Sequence, residues 1–326
     1  MNELALAAFA AETGTHLVGE PRDRRFAAFV RRFDAAAYRE TLNRAGVTWC
    51  SRTARDFPPL LRSIHDPPPG LFARGAADVE LLRRPAVAVV GARSCSPYGA
   101  QVARMLGREL AATGLVVVSG LARGVDGEAH RGALEAGGAT VGVLGCGVDR
   151  DYPAAHRELA ACIRESGLVV SEYPPGVEPA PWRFPARNRI IAGLSGVTVV
   201  VEARERSGAL ITADLALEEG REVFAVPGEI TSALSAGTNE LLRLGATPLT
   251  TSKDVLEVFG IEVGPAADPD VSEEGQKVLA RVRDGPAGVD ELVRAIGFEA
   301  GTIATALTEL ELAGLIVQGE GVYRAH

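Results

Sequence analysis

The chain has 326 residues, 47 % hydrophobic and 23 % charged, the make-up of an ordinary globular protein with room for two compact units and a small third. No apolar run reaches membrane-spanning length, and Met1-Asn2-Glu3-Leu4 lacks the basic-then-apolar pattern of a secretion signal, so a cytoplasmic protein without membrane contact is expected. The net charge of −8 does not exclude a polyanion partner, because nucleic acid feels the local field and not the sum.

Residues 1–50 are rich in Ala, with Phe26, Phe29, Val30 and Phe33 at helical spacing, and read as a small helical module. From Arg22 to Arg44 the module holds seven Arg against Asp23, Asp34 and Glu40, which reads as a solvated helix face rather than a DNA patch. Residues 51–84 contain Phe57-Pro58-Pro59 and Asp66-Pro67-Pro68-Pro69-Gly70, expected to form an extended connector that packs against the sheet of the next region.

A repeating rhythm then begins. Apolar runs stand at Ala86–Val90, Leu115–Val118, Thr140–Leu144, Leu168–Val170, Val197–Val201, Glu222–Val226 and, more weakly, Ala246–Leu249. Their starts are about 25–30 residues apart, the length of a βα unit. Runs apolar at every position suit strands covered on both faces. Between the first two, Val102, Leu106 and Leu110 make one helical stripe. The stretch is therefore expected to fold as an α/β, doubly wound, mostly parallel sheet of extended Rossmann-like type, spanning 51–260.

Residues 261–270 read as a linker. Beyond it, helical stripes at Val278, Leu279 and Val282, then at Val289, Leu292, Val293 and Ile296, then at Ile303, Leu307 and Leu310 precede a hairpin of Leu315–Val317 and Val322–Arg324 around Gly319-Glu320-Gly321. Three helices and a wing over 271–326 are the order of a winged helix. This region holds nine acidic and five basic residues, and its third helix, Gly301–Ala313, carries Glu309, Glu311 and no cation. A groove-reading helix needs Arg, Lys, Asn or Gln, so a protein-contact or dimer-supporting role is expected instead.

In an open parallel sheet, ligands gather outside the carboxyl ends of the strands. After the first strand, Gly91-Ala92-Arg93-Ser94-Cys95-Ser96-Pro97 offers Ser96 as a helix N-cap, free amides for an anion, Gly91 for close approach and Arg93 for a charged contact. After the second comes Ser119-Gly120-Leu121-Ala122-Arg123-Gly124-Val125-Asp126. After the third come Gly145, Gly147, Arg150 and Tyr152. Phe184-Pro185-Ala186-Arg187-Asn188-Arg189 and Ser207-Gly208-Ala209-Leu210-Ile211-Thr212 come later in the chain. Any one of these reads equally as a tight turn with a cap; together they describe an edge that binds several phosphates. Tyr152 reads equally as a base-stacking platform or as an aromatic lid on the core.

Other chemistries fare worse. Neither lysine, Lys253 or Lys277, stands in a Walker loop, and no G-x-G-x-x-G follows the first strand, so an ordinary nucleotide-hydrolysing loop and a dinucleotide cofactor are disfavoured. Cys50, Cys95, Cys146 and Cys162 read as free thiols, five scattered histidines complete no zinc pattern, and no cofactor or metal is expected. Ser119, Asp126 and His130 lack the elbow of a hydrolase serine. Glu202, at the end of a buried strand, is expected to bond the amides of the Ser207-Gly208 loop. As an alternative it would serve glycosidic cleavage in a nucleotide-binding enzyme of the phosphoribohydrolase-like Rossmann type, whose G-G-x-G-T element is missing after Val201.

Taken in order, the stretches Phe57-Pro58-Pro59-Leu60-Leu61, Gly91-Ala92-Arg93, Ser119 to Asp126 with Ala129-His130, Gly145-x-Gly147 leading to Tyr152-Pro153, Phe184 to Ser195, Ser207 to Ala213 and Phe224-Ala225-Val226-Pro227-Gly228 resemble the DNA-processing protein A (DprA, or Smf) family over about 55–260. The resemblance implies a non-enzymatic mediator that binds and protects single-stranded DNA, forms a homodimer and helps load the RecA recombinase in natural transformation and recombination. Weak binding of duplex DNA is a further partner expectation. It also implies phosphate contacts from Gly91, Ala92 and Arg93, with Ala92 in place of a commoner serine, and a sterile-alpha-motif-like fold for residues 1–50. The Tyr-Pro motif of the family continues to an Asn, and here that position is His156.

Overall fold

The computed structural model describes residues 3–14, 24–262, 271–319 and 321–325; Arg22, Asp23, Glu320 and most of the expected linker, 263–270, lie outside the described residues. The chain divides into two compact units, 1–262 and 263–326. No helix among the described residues is long and apolar enough to cross a membrane.

The large unit opens with helices α1 (Glu3–Thr13), α2 (Arg24–Arg32) and α3 (Ala35–Arg44), then strand β1 (Thr48–Ser51), α4 (Pro59–Arg62) and β2 (Gly70–Arg74). The βα rhythm comes next: β3 (Ala86–Val90), α5 (Pro97–Ala112), β4 (Val116–Ser119), α6 (Val125–Glu135), β5 (Thr140–Val143), α7 (Arg157–Ser166), β6 (Leu168–Ser171), α8 (Arg183–Leu194), β7 (Val197–Val200), α9 (Gly208–Glu218), β8 (Glu222–Ala225), α10 (Ala236–Arg243), β9 (Thr247–Pro248) and α11 (Ser252–Val258). Each expected strand is present, the weak run at Ala246–Leu249 shrinking to the two residues of β9.

One sheet holds these strands in the order β1-β2-β6-β5-β4-β3-β7-β8-β9, parallel from β6 to β9. The expected connector is different. Residues 70–74 form β2, antiparallel to both β1 and β6, so this stretch extends the sheet instead of lying on it. Phe72 is fully buried and packs on Trp49 at 4.6 Å between ring centroids, which holds the extra strands in place. The first three helices pack within the same compact unit, where Leu4, Ala7 and Leu42 meet Phe72 and Val148.

Alternation along the strands divides the core between two faces. Ala86, Ala88 and Val90 of β3 face Ile190, Ile191, Ala209 and Ala213 of α8 and α9. Val87 and Val89 face Leu106, Leu110, Val125 and Ala129 of α5 and α6. From β3 the chain winds outward through β4, β5 and β6, then returns to place β7 on the other side of β3. A crevice opens where the winding reverses, outside the carboxyl ends of β3 and β7.

The small unit contains α12 (Glu273–Arg283), α13 (Val289–Ile296), α14 (Ala300–Leu312) and the hairpin β10 (Ile316–Gly319) with β11 (Val322–Ala325). Val278, Leu279, Leu292, Ile303, Leu307 and Leu310 form its core, the residues expected from helical spacing.

Candidate nucleic-acid interface

Two neighbouring cavities occupy the crevice. One of about 200 Å³ is lined by Gly91 and Arg93 after β3, Ala122 and Asp126 after β4, Phe184, Arg187 and Asn188 of α8, and Ser207 and Gly208 at the start of α9. A second of about 220 Å³ is lined by Arg93, Gly120, Ala122, Arg123, Gly145, Tyr152, Phe184 and Arg187. Shared walls of Arg93, Ala122, Phe184 and Arg187 join them into one trough.

Its floor holds a buried arginine and a buried aspartate. Arg187, 4 % exposed, donates Nη1 to the carbonyl of Gly120 (2.7 Å) and to that of Val143, and Nε to Asn188 Oδ1 (3.0 Å). Burial pulls its guanidinium down to about 10; Asp126 works against that fall and Arg93 adds to it. Asp126 accepts from the amides of Gly120 (3.1 Å) and Ala122 (3.4 Å), and burial raises its carboxyl against the pull of Arg187. Gly120 leaves no room for a side chain, since a Cβ there would meet the Arg187 guanidinium and Asp126 Oδ2. Gly124, at φ +76°, caps α6 against the backbone of Ala92 and Arg93, so glycine is required there twice over.

The Phe184-Pro185-Ala186-Arg187-Asn188-Arg189 stretch, expected as a loop, is the first half of α8. Proline is tolerated within a first helical turn, where its missing N–H has no helical partner. Successive helical side chains point about 100° apart, so Arg187, Asn188 and Arg189 reach three different neighbours. Asn188 donates to the carbonyl of Gly208 (3.0 Å) and fastens α9. Arg189 pairs bidentately with Glu172 (2.8 and 2.7 Å) and with Asp66 (3.0 Å); its guanidinium is consumed by carboxylates and it lines neither cavity.

Other expectations are corrected as well. Ser96 caps α5, accepting from Gly99 N (3.0 Å), but the anion at that helix start is internal: Glu202 takes the Ser96 amide (2.9 Å) and the Ser96 hydroxyl. The Glu202 carboxylate therefore serves this turn and not the Ser207-Gly208 loop, where Ser207 Oγ itself accepts from Ala209 N (3.3 Å). Arg150 pairs with Glu178 (2.9 Å) and donates to the Gly176 carbonyl (3.3 Å), away from both cavities. Gly147 bonds Val177 (2.9 Å) and, with exposed Ser94, lies off the trough, while Ala92 turns its carbonyl to Val125 N (3.2 Å).

Exposed in the trough are Arg93 and Arg123, neither within ion-pairing distance of a carboxylate among the described residues. The Arg93 guanidinium lies 5.5 Å from the Phe184 ring centroid. Tyr152, 40 % exposed, stacks on the same ring at 5.1 Å and 23°. Phe184 was not singled out by sequence reasoning; the signal available was an aromatic residue beside an arginine at the start of a helix. Cations beside aromatic faces hold phosphates and bases together. Of the amides that could hold a pyrophosphate at these turns, that of Ser96 is already taken by Glu202, and those of Gly120 and Ala122 by Asp126.

His130 is fully buried, and its Nδ1 lies 2.7 Å from Thr140 Oγ1. Thr140 spends its one proton on the Val117 carbonyl (2.7 Å), so Nδ1 is the donor. Burial, followed by the nearby charge of His156, drives the ring down to about 3. It is a neutral core histidine, and Ser119 donates to the Val89 carbonyl (2.6 Å). In the small unit, Glu309 of α14 accepts from the Ser272 amide (2.7 Å) and hydroxyl at the start of α12, leaving Glu311 and no cation on that helix.

Comparison with known proteins supplies the remaining findings. The family profile described as DNA recombination-mediator protein A matches residues 48–260, and that of the DprA winged helix domain matches 263–321. The protein Smf of Escherichia coli is 41 % identical over 279 residues, covering 82 % of this chain and 74 % of that protein. The DNA processing protein DprA of Streptococcus pneumoniae is 48 % identical over 203 residues, covering 62 % of this chain and 71 % of that protein. The X-ray structure of the Streptococcus pneumoniae protein superposes with a TM-score of 0.67 at 38 % identity, covering 81 % of this chain and 94 % of that one. The Helicobacter pylori DNA processing protein A, described for its single-stranded DNA binding mode, gives 0.59 at 33 % identity, covering 65 % and 95 %.

Proposed function

The chain belongs to the DNA recombination-mediator protein A family, and from that premise we propose that it binds single-stranded DNA along the Arg93–Arg123 trough without catalytic turnover. The observation that carries this reading is two exposed arginines, unspent on carboxylates, flanking the stacked Tyr152–Phe184 pair in joined cavities. Unpaired bases offer faces to stack, which a duplex hides, and their phosphates lie within reach of the guanidinium groups. The single-strand binding described for the Helicobacter pylori relative supports the same ligand here.

Family membership supports the wider role: protecting incoming strands, loading RecA, acting as a homodimer, and serving natural transformation. The engagement of both Glu202 oxygens by Ser96 supports the non-enzymatic reading over nucleotide hydrolysis. The test is anisotropy with a labelled oligothymidylate and a duplex of equal length. Tighter binding of the single strand is expected, and no binding at low salt, or a preference for the duplex, overturns it. Base release from nucleoside monophosphates, lost in Glu202→Gln, would establish the enzyme instead.

A further inference from the structure

The turn that presents Arg123 holds the one non-glycine residue at positive φ among the described residues, Leu121 at +57°. A leucine does not choose this conformation, so the surroundings must impose it. Its side chain is 1 % exposed and packed in the cluster of Leu144, Leu159 and Ile163, which opposes relaxation of the turn by outward movement. The polar groups on either side are held as well: Asp126 takes the amides of Gly120 and Ala122, and Arg187 the carbonyl of Gly120. The carbonyl of Leu121 itself is 3.1 Å from His156 Nδ1. A carbonyl only accepts, so Nδ1 carries the proton.

His156 ends the short turn that comes after Tyr152 and Pro153. Its ring lies against the first turn of α6, where Gly127 leaves it space: a Cβ there would be 2.6 Å from the ring's Cε1. The same side chain is 6 % exposed. One hydrogen bond thus ties the segment carrying Tyr152 to the segment carrying Arg123, on two walls of one cavity.

We propose that His156 is a positioning residue for the DNA trough, holding the Leu121 carbonyl so that Arg123 and Tyr152 face the same strand. The proposal rests on the single-strand reading above. It assigns His156 no contact with DNA; without the clamp, the turn populates its binding geometry only part of the time, and apparent affinity falls by that fraction.

The test uses the full chain, anisotropy with labelled oligothymidylate, and amide hydrogen exchange. His156→Leu keeps bulk and removes the donor; His156→Asn places an amide N–H near the position of Nδ1. Expected are about tenfold weaker binding in the Leu variant, wild-type binding in the Asn variant, and faster exchange at Arg123 and Gly124 in the Leu variant alone. Arg123→Ala added to His156→Leu is expected to cost little more than the worse single change. Wild-type affinity in a folded His156→Leu, equal loss in the Leu and Asn variants, or fully additive losses overturn the proposal. If His156→Leu fails to fold, His156→Gln, whose donor sits one bond further out, takes its place and must weaken binding. A wild-type chain that ignores the oligonucleotide removes the single-strand reading and with it the DNA-facing role, whereas a wild type that binds alongside a silent His156→Leu removes this proposal alone.

Discussion

The rim of the large sheet and the third helix of the C-terminal unit spend their charges in opposite ways. On the rim, internal carboxylates satisfy backbone amides, Glu202 at Ser96 and Asp126 at Gly120 and Ala122, and Arg93 and Arg123 are left exposed without carboxylate partners among the described residues. On α14, Glu309 is committed to Ser272 and the helix offers no cation. A chain of net charge −8 can therefore carry a polyanion site in one region and none on the helix that most resembles a groove reader in outline. What decides is the charge left unspent. The same lesson separates arginines on the rim itself, since Arg189 and Arg150 are consumed by carboxylates.

The sharpest way to break this distinction is at Arg189. Arg189→Met leaves Glu172 buried without its partner, and about 3–5 kcal/mol of stability is expected to disappear in denaturant unfolding. The protein that remains folded is expected to bind single strands as before; a loss of affinity with stability intact would make Arg189 a DNA contact after all. Tyr152→Ala comes next. Removing an exposed stacking face is expected to weaken oligothymidylate binding about tenfold in anisotropy titrations while the thermal midpoint moves little. Unchanged affinity would mark Tyr152 as a lid on Phe184 only. The smallest effect is expected from deleting residues 271–326, with single-strand affinity changed by less than about twofold. A large loss would place DNA contacts in the winged helix.

Much of the frame was legible in the order of residues. All-apolar runs such as Ala86–Val90, short and recurring at βα spacing, announce buried parallel strands because a strand covered on both faces hides five successive side chains. β2 is hidden because its five residues come after a proline run and one of its two antiparallel partners, β6, lies about 100 residues further along the chain. At the site, Arg93, Arg123, Tyr152 and Gly120 were legible as loop residues at strand ends. Arg187, Asn188 and Arg189 look alike in sequence, yet helical geometry sends one to the floor of the trough, one to α9 and one to a buried ion pair. Glu202 and Ser96 are 106 residues apart, and no local pattern announces that one fills the other's anion site.

The salt dependence of single-strand binding tests the central claim most directly. On single strands each phosphate neutralised contributes about 0.7 to the slope of log affinity against log salt. Arg93→Ala with Arg123→Ala is therefore expected to bind weakly at every sequence and to lower that slope by about 1.4 relative to the wild type. A double variant whose slope equals that of the wild type would show that the unspent arginines of the trough do not meet the phosphates.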